Sequence, residues 1–504
     1  MSLRTTVKRP IKRPRKPTTT TTTTSMSSGY PQLTPNAAGI DIATREVWVA
    51  VPTDRAERPV RRFETFTQDY HALADWLTEC GVETIAMEAT GVYWIPLFEI
   101  LDERGFALCL VNPRTIGGHG AAGTKTDVCD CQRLQHLHAC GLLTASFQPQ
   151  GDVRALRAVT RHRASLVRLA AAQVQHMQKS LDQMNLHLHH VISDITGVSG
   201  LAILDAIVAG EQDPVVLAAL CRPGISAPRP KIVKSLEGNY RAEHLMTLRQ
   251  SLTLWRQILL LMAECDAQIE SVLTEFTDMH EMQAGGASEA ADASEAADAI
   301  PDRCGETVAS APAAAAARIR RVPKRSEKTA IHLPHANLQD ELARILGVDL
   351  TQVPGVACAT ICTLLSEIGP NLSAFPSVKH LSSWLGLCPD NRVSGGKVLS
   401  SKTRDVKSRL AAGLRMAALS VSHSDTALGR FYRKMRSRLG APKAITATAH
   451  KLIRILYHLI TTGESYCESV FAEADARESE RRVSRLHREA ERLGYTLSPA
   501  PAPA

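Results

Sequence analysis

Two aspartates three residues apart, Asp127 and Asp130, stand in the stretch TKTDVCDCQRLQHLHAC, beside three cysteines and two histidines. Two chemistries compete for it. Thiols and imidazoles suggest zinc, whereas carboxylates suggest a harder divalent cation. Read as a helix over 126–140, the stretch separates them by geometry. Cys129 and Cys131 lie about 200° apart on the helix wheel, as do His136 and His138, and Cys129 stands about 10 Å along the axis from His136. Only His136 and Cys140, an i,i+4 pair, could share an ion, so the thiols read as buried or half-buried packing groups. Asp127 and Asp130 share one face, one turn apart. Carboxylates that close repel each other unless a cation or a raised pKa relieves them. Taken alone, the pair also fits a solvated acidic first turn, which the helix dipole favours.

Two acids elsewhere join them. Asp41 sits inside the apolar run AGIDIA, where a charge is costly without a partner. Glu88 closes the apolar run TIAMEA, just before TGVYW. The elements that position these acids follow from hydrophobic period. Strands are predicted over roughly 38–43 and 46–52 around a turn near Thr44-Arg45, and VRRFETF is a third. QDYHALADWLTEC has helical spacing, ETIAMEA is a buried strand, WIPLFEILDERG is a helix ending at Gly105, and FALCLVN is another strand. Three strands followed by helix, strand, helix, strand and helix is the order of an RNase H-like (RuvC-like) fold on a mixed sheet. In that sheet the first and fourth strands are neighbours, and a following helix can bring its aspartates over their ends. Asp41, Glu88, Asp127 and Asp130 then converge. Such a hard oxygen set suits Mg²⁺ or Mn²⁺, and two such ions can clamp the attacking and leaving oxygens of a phosphodiester.

The remainder of the 504 residues divides by composition. Residues 1–36 form a basic, Thr-rich tail expected to be disordered, and 37–150 form the α/β domain. A helical coiled-coil arm is expected over 151–280. Its first apolar seam runs from Val167 to Val191 and its second from Leu245 to Phe276, with Asp266 as the one polar entry. A folded insert separates the seams; the arm could close on itself or pair with another subunit. An Ala-rich linker covers 281–338, a mainly helical domain 339–470, and a charged helix with a frayed end 471–504. The segments ISDITGVSGLAILDAIVAGEQDP and LTQVPGVACATICTLLSEIGPNL echo each other and are similar to a helix–hairpin–helix element, whose turn offers N–H groups to a DNA phosphate. Plain helix packing is the competing reading. Net charge of +8 is compatible with a polyanionic partner. Twelve cysteines in so long a chain read as reduced thiols, and no apolar run reaches the ~18 residues of a membrane span. The protein is expected in the cytoplasm, associated with the nucleoid.

These segments together resemble a transposase of the insertion-sequence one-ten family, the DEDD class now described as bridge-RNA-guided recombinases. The resemblance rests on GIDIA with Asp41, MEATGVYW with Glu88, and NPRTIGG…GTKTDVCDCQRLQHLHACGLL with Asp127 and Asp130. In the second half it rests on VPGVACATICTLLSEIG and FPSVKHLSSWLGLCPDNRVSGGK with the basic helix after it. It covers roughly 38–275 and 340–470. It implies a RuvC-like catalytic domain, a coiled-coil arm, and a smaller transposase domain whose serine, Ser394 here, attacks DNA and forms a transient 5′-phosphoserine. It further implies a homo-oligomer (dimer or tetramer) around a structured guide RNA, with DNA element ends and target as substrates. Gly395 and Gly396 beside Ser394 permit close approach of a phosphate. Lys125, Arg154, Arg157, Arg161, Arg392, Lys397, Lys402 and Arg404 are the expected nucleic-acid contacts, an ordinary solvated helix face being the alternative for those on the arm. Two other functions fit the same acids: a metal-only, structure-specific nuclease resembling RuvC, and a non-catalytic nucleic-acid-binding remnant of a mobile element.

Overall fold

Short β-branched runs bounded by turn residues form a mixed sheet in the computed structural model, which describes residues 31–89, 91–113, 126–149, 151–276 and 338–496. Strands β1 (Ala37–Ile42), β2 (Glu46–Ala50) and β3 (Val60–Glu64) make an antiparallel meander. Helix α1 (Thr67–Glu79) then leads to β4 (Thr84–Glu88), and α2 (Trp94–Glu103) to β5 (Ala107–Val111). The sheet order is β3-β2-β1-β4-β5, with β4 parallel to both β1 and β5. Side chains alternate between two faces. Ile40, Ile85 and Met87 point to the side where α1 and α2 bury Leu73, Leu77, Leu97 and Leu101. Ala86, Cys109 and Val111 point to the other side and pack under α3 (Asp127–Ala139) through Leu134 and Leu137. Each fully buried Leu or Ile of this kind contributes about 1.5–3 kcal/mol.

The ordered fold takes up residues on the tail side of the boundary expected at position 36. The N–H groups of Leu33 and Thr34 donate to the carbonyl of Ala139 at 2.7 and 3.0 Å, and the Asn36 carbonyl accepts from the Glu83 N–H. The two bonds to Ala139 satisfy the end of α3, whose last carbonyls have no partner within the helix. Residues 1–30 of the expected tail, Lys125, and 281–337 of the expected linker lie outside the described residues.

The chain divides into two compact units between Gln148 and Pro149. In the second, helices α4 (Gly151–Gln183) and α8 (Ala242–Glu275) pack side by side. Arg163 pairs with Asp266 and Ser180 with Thr247, so the two run antiparallel and the arm closes on itself within one chain. The insert between them contributes α5 (Val198–Ala209), α6 (Pro214–Ala219) and α7 (Arg229–Ser235). Met177, Leu181, Met184, Leu248, Leu252 and Trp255 share one core with it. Asp266, the polar interruption of the second seam, is the acceptor for the buried Arg163 guanidinium.

After the undescribed segment come α9 (Leu338–Leu346), α10 (Cys358–Ile368) and α11 (Val378–Trp384). A hairpin of β6 (Arg392–Ser394) and β7 (Lys397–Ser400) precedes α12 (Arg409–Ser420), α13 (Ala427–Leu439), α14 (Ala441–Thr462) and α15 (Ala472–Arg492). The Arg344 guanidinium donates to the carbonyls of Leu273 and Phe276, capping the C-terminus of α8 with a cation as the helix dipole favours. No helix among the described residues is long and apolar enough to cross a membrane. In the second glycine echo, Gly355 has φ +83° and its missing side chain would meet Val421 and the Ala417 carbonyl at the end of α12. Close helix packing therefore accounts for that glycine.

Candidate active site

Parallel pairing positions the first two acids. Ile40 of β1 lies opposite Met87 of β4, and both face α1 and α2. The next residues along, Asp41 and Glu88, therefore end neighbouring strands, spaced about 4.8 Å, on the opposite face. That face is covered by α3. A Cβ on Gly39 would stand 2.2 Å from the backbone nitrogen of Gln135 and 2.4 Å from the carbonyl of Cys131, so only glycine lets strand and helix approach this closely. Asp41 is two residues further along the same face. Both Asp41 and Glu88 are half-buried and engaged within the fold.

Thr126 starts α3: its side chain caps the helix by accepting from the Cys129 N–H at 3.2 Å. Asp127 and Asp130 occupy the first turn, where the dipole favours them; Asp127 is exposed and Asp130 half-buried. Cys131 reports where two of the acids lie. Burial pushes its thiol up to about 12, and the charges of Asp41 and Asp130 both act in the same direction. One thiol thus feels a carboxylate from β1 and one from α3. The donor set is all hard oxygen and fits a divalent cation of the Mg²⁺ or Mn²⁺ type. The side-chain oxygens stand apart: among the described residues these acids form no group of three with ligand atoms within 4.8 Å of one another. A cation would have to draw them together.

Cys131 and Cys140 are buried packing groups as expected, whereas Cys129 is exposed on the helix surface. Cys131 donates to the Val128 carbonyl at 3.2 Å, Cys140 lies 3.8 Å from the His136 ring, and His138 meets the Thr84 hydroxyl at 2.8 Å. Burial lowers the His138 pKa.

Ser394 belongs to the second unit. Its segment, within the domain expected to be mainly helical, is a hairpin in which Ser394 pairs with Lys397 across Gly395 and Gly396. Both glycines have positive φ, +54° and +74°, the conformation that a tight two-residue hairpin turn requires. Nothing lies within 4 Å of where either side chain would project, so the turn faces open space. Ser394 and Lys397 share one face of the hairpin, while Val393 and Val398 share the other and are 58% and 62% exposed. Among the described residues the Ser394 hydroxyl has no hydrogen-bond partner. The nearby Ser400 hydroxyl accepts from the Lys402 N–H at 3.3 Å.

The structure gives three of the expected nucleic-acid contacts another task. Arg157 donates to the Ser366 and Glu367 carbonyls, at 3.2 and 2.7 Å, and its side chain is 11% exposed. Arg161 makes a bidentate pair with the Glu367 carboxylate at 3.0 and 2.7 Å. Arg404 donates to the carbonyl and hydroxyl of Ser383, tying the segment after the hairpin to α11. Basic spacing on a helix does not distinguish a guanidinium aimed at phosphate from one aimed at a carbonyl of its own fold. Arg392, Lys397 and Lys402 are exposed, and Arg154 is half-buried. Gly39 was invisible to a search for chemistry-bearing side chains; a glycine two residues before a strand acid was the available signal.

The first unit is a mixed sheet with acids on its α3 face, and the mainly helical second unit carries the serine hairpin. Two family models agree. One described as "Transposase" (DEDD_Tnp_IS110) matches residues 38–186, and one described as "Transposase IS116/IS110/IS902 family" matches 349–433. The chain is similar to this transposase family over those two segments. It is similar to the "Insertion element IS110 uncharacterized 43.6 kDa protein" of Streptomyces coelicolor, 27% identical over 148 residues, which are 28% of this chain and 36% of that protein. A Sinorhizobium fredii protein provisionally named transposase y4pF/y4sB is 32% identical over 127 residues, 23% of this chain and 32% of its own length. The matches thus span about a third of each relative's length.

Proposed function

We propose that this protein is the transposase/recombinase of an insertion sequence and cleaves and rejoins DNA through a serine-linked intermediate. The observation that carries the reading is the placement of Asp41 and Glu88 at the ends of adjacent parallel strands, with Asp130 brought by α3 onto the same face. The strand order β3-β2-β1-β4-β5 supports an RNase H-like, RuvC-like reading of residues 37–150. The same reading makes 151–280 a coiled-coil arm and 339–470 a transposase domain with a helix–hairpin–helix-like element. Asp41, Glu88, Asp127 and Asp130 would hold Mg²⁺ or Mn²⁺. The ion, when bound, supplies Lewis-acid stabilisation of charge on the phosphodiester.

The chain's own residues do the rest. The Ser394 oxygen forms a bond to phosphorus, and the bond from phosphorus to the DNA 3′-oxygen breaks. The serine proton passes to a base, and the released 3′-oxygen takes up a proton. A 3′-hydroxyl of a second strand then attacks the phosphoserine and frees the serine. A serine hydroxyl is a weak nucleophile and needs such a base. With no partner of its own in the hairpin, Ser394 takes it from a carboxylate cluster, in this reading that of another subunit in a homo-oligomer. Lys397, on the same hairpin face, stabilises the phosphoryl charge. Arg392 and Lys402 hold the backbone of the DNA, and a structured RNA guides it to its target.

Adduct trapping tests this. Purified protein with its co-purified RNA is incubated with Mg²⁺ and a plasmid carrying its element, junction and flanks, then denatured, and nucleotide-modified peptides are mapped by mass. A Ser394-linked nucleotide that disappears in Ser394→Ala and in Asp41→Ala is the expected result. The second reading, a metal-only nuclease, draws on the all-oxygen acid cluster lying in one unit and Ser394 in the other. It predicts cleavage without an adduct, kept in Ser394→Ala and lost in Asp41→Ala.

A further inference from the structure

The stretch LDQMNLHLHH, where the first arm helix ends, takes no part in the proposed chemistry. Asp182 is in the last turn of α4; the chain then turns through Asn185, at φ +58°, into a short 3-10 turn over Leu188–His190. Leu186 and Leu188 are fully buried in the arm core, so the alternate residues His187 and His189 are directed back towards Asp182. The His187 N–H donates to the Ser235 carbonyl at 2.8 Å, which fixes the backbone between them. The result is a preformed constellation rather than a floppy histidine tract.

Its geometry is that of a ligand set. One ligand atom each from Asp182, His189 and His190 lies within 4.8 Å of the others, and no other group of three among the described residues does so. His189 Nε2 and His187 Nδ1 each lie 3.5 Å from the same oxygen of Asp182. His187 and His190 stack at 5.1 Å, and His189 meets His190 edge-on at 4.3 Å. A second observation points to a ligand: Nδ1 of His187, the nitrogen that faces Asp182, is buried and makes no hydrogen bond. Polar nitrogens removed from water without a bond are costly.

We propose that Asp182, His189 and His190 form a transition-metal site, with His187 as the fourth donor, and that it takes a zinc-class ion. Two or three imidazoles with one carboxylate are borderline ligands that prefer Zn²⁺ and its neighbours over Mg²⁺. A bound ion ties the end of α4 to the first turn of the insert and so fixes where the insert leaves the arm. The site lies on the arm and is independent of the acid cluster and of the recombinase reading.

The test is zinc titration of the full chain, stripped with chelator, followed by calorimetry and by thermal melting in millimolar Mg²⁺. Wild type is expected to bind one Zn²⁺ per chain and to melt higher with it. Asp182→Asn and His190→Ala replace exposed side chains, so circular dichroism should be unchanged. Each should weaken zinc by more than the ~10–100-fold seen when only an outer-shell partner is lost. Absence of zinc binding in wild type would overturn the site. So would equal binding in both variants, the pattern expected if zinc is held by thiols and is lost on alkylation with N-ethylmaleimide.

Discussion

Gly39→Ala tests whether the approach of α3 to β1 positions the acids. The added Cβ would meet the Gln135 nitrogen at 2.2 Å and the Cys131 carbonyl at 2.4 Å, and both are backbone atoms that no rotamer change can move. Reaching the 3.0 Å below which real Cβ contacts essentially never occur requires strand and helix to separate by about 0.8 Å. Overpacking of this kind costs about 1–3 kcal/mol, which for a unit of this size lowers its melting temperature by roughly 3–12 °C. The functional cost is separate. Asp41 is two residues from the wedge, and Asp130 is the residue before Cys131. A misplacement approaching 1 Å in a site that works by positioning costs on the order of 10²-fold in rate. The assay is Mg²⁺-dependent cleavage of element-bearing plasmid, run beside a melt of the same sample. Gly413→Ala is the control: its Cβ would find only the Thr360 methyl at 3.8 Å. Being inside α12, that substitution should stabilise by about 0.5–1 kcal/mol. Full cleavage and an unchanged melt in Gly39→Ala would refute the argument that α3 sets the acid geometry.

Two further perturbations probe the rest of the fold. Arg163→Met leaves the Asp266 carboxylate, whose side chain is 9% exposed, without its partner inside the arm. Urea denaturation should show a loss of about 3–5 kcal/mol, and Arg163→Met with Asp266→Leu should recover most of it. His138 sets a pH dependence: burial lowers its folded pKa below 6.5, so as pH falls below 6.5 the unfolded chain takes up a proton that the folded one does not. Stability therefore rises with pH through that window and is level above it. Denaturation of His138→Gln between pH 5.5 and 7.5 should show a flatter profile than wild type, and an equal slope would refute the assignment.

Much of the sheet unit was legible because hydrophobic period marks it. The meander, both crossover helices and the helix carrying Asp127 and Asp130 lie within a few residues of where AGIDIA, TIAMEA and ALCLV predict them. The heptad seams indicated the two long arm helices, but whether they pair within one chain is a question of which surfaces meet. The structure answers it through Asp266, which looked like a flaw in the seam until Arg163 was placed opposite. The Ser394 segment is the clearest shortfall. RVSGGKVLS has strand residues on either side of a Gly-Gly pair, which is hairpin chemistry, yet strands this short do not stand out within a mainly helical domain. The basic residues were the least legible. Arg157 and Arg161 lie one helical turn apart at the start of the arm, as phosphate contacts would, and their partner Glu367 is more than two hundred positions away. No local pattern carries that information.

That clamp has a consequence for how the proposed chemistry is divided. Glu367 lies in α10, and its carboxylate, 7% exposed, is held by Arg161 while its carbonyl accepts from Arg157. Burial draws the Arg157 pKa down to about 10, partly offset by the Glu367 charge, so at neutral pH the guanidinium remains charged within the fold. Arg344 adds a second attachment at the same end of the arm, on the last carbonyls of α8. The base of the arm is therefore fastened at two places to the helical elements that carry the serine hairpin. The acids are built differently, on strand ends and one capped helix in the other unit. If a serine from one subunit meets the acids of another, the base of the arm and the hairpin are linked within the same unit through Glu367 and Arg344. Loosening the arm at Glu367 should then impair adduct formation more than binding of DNA.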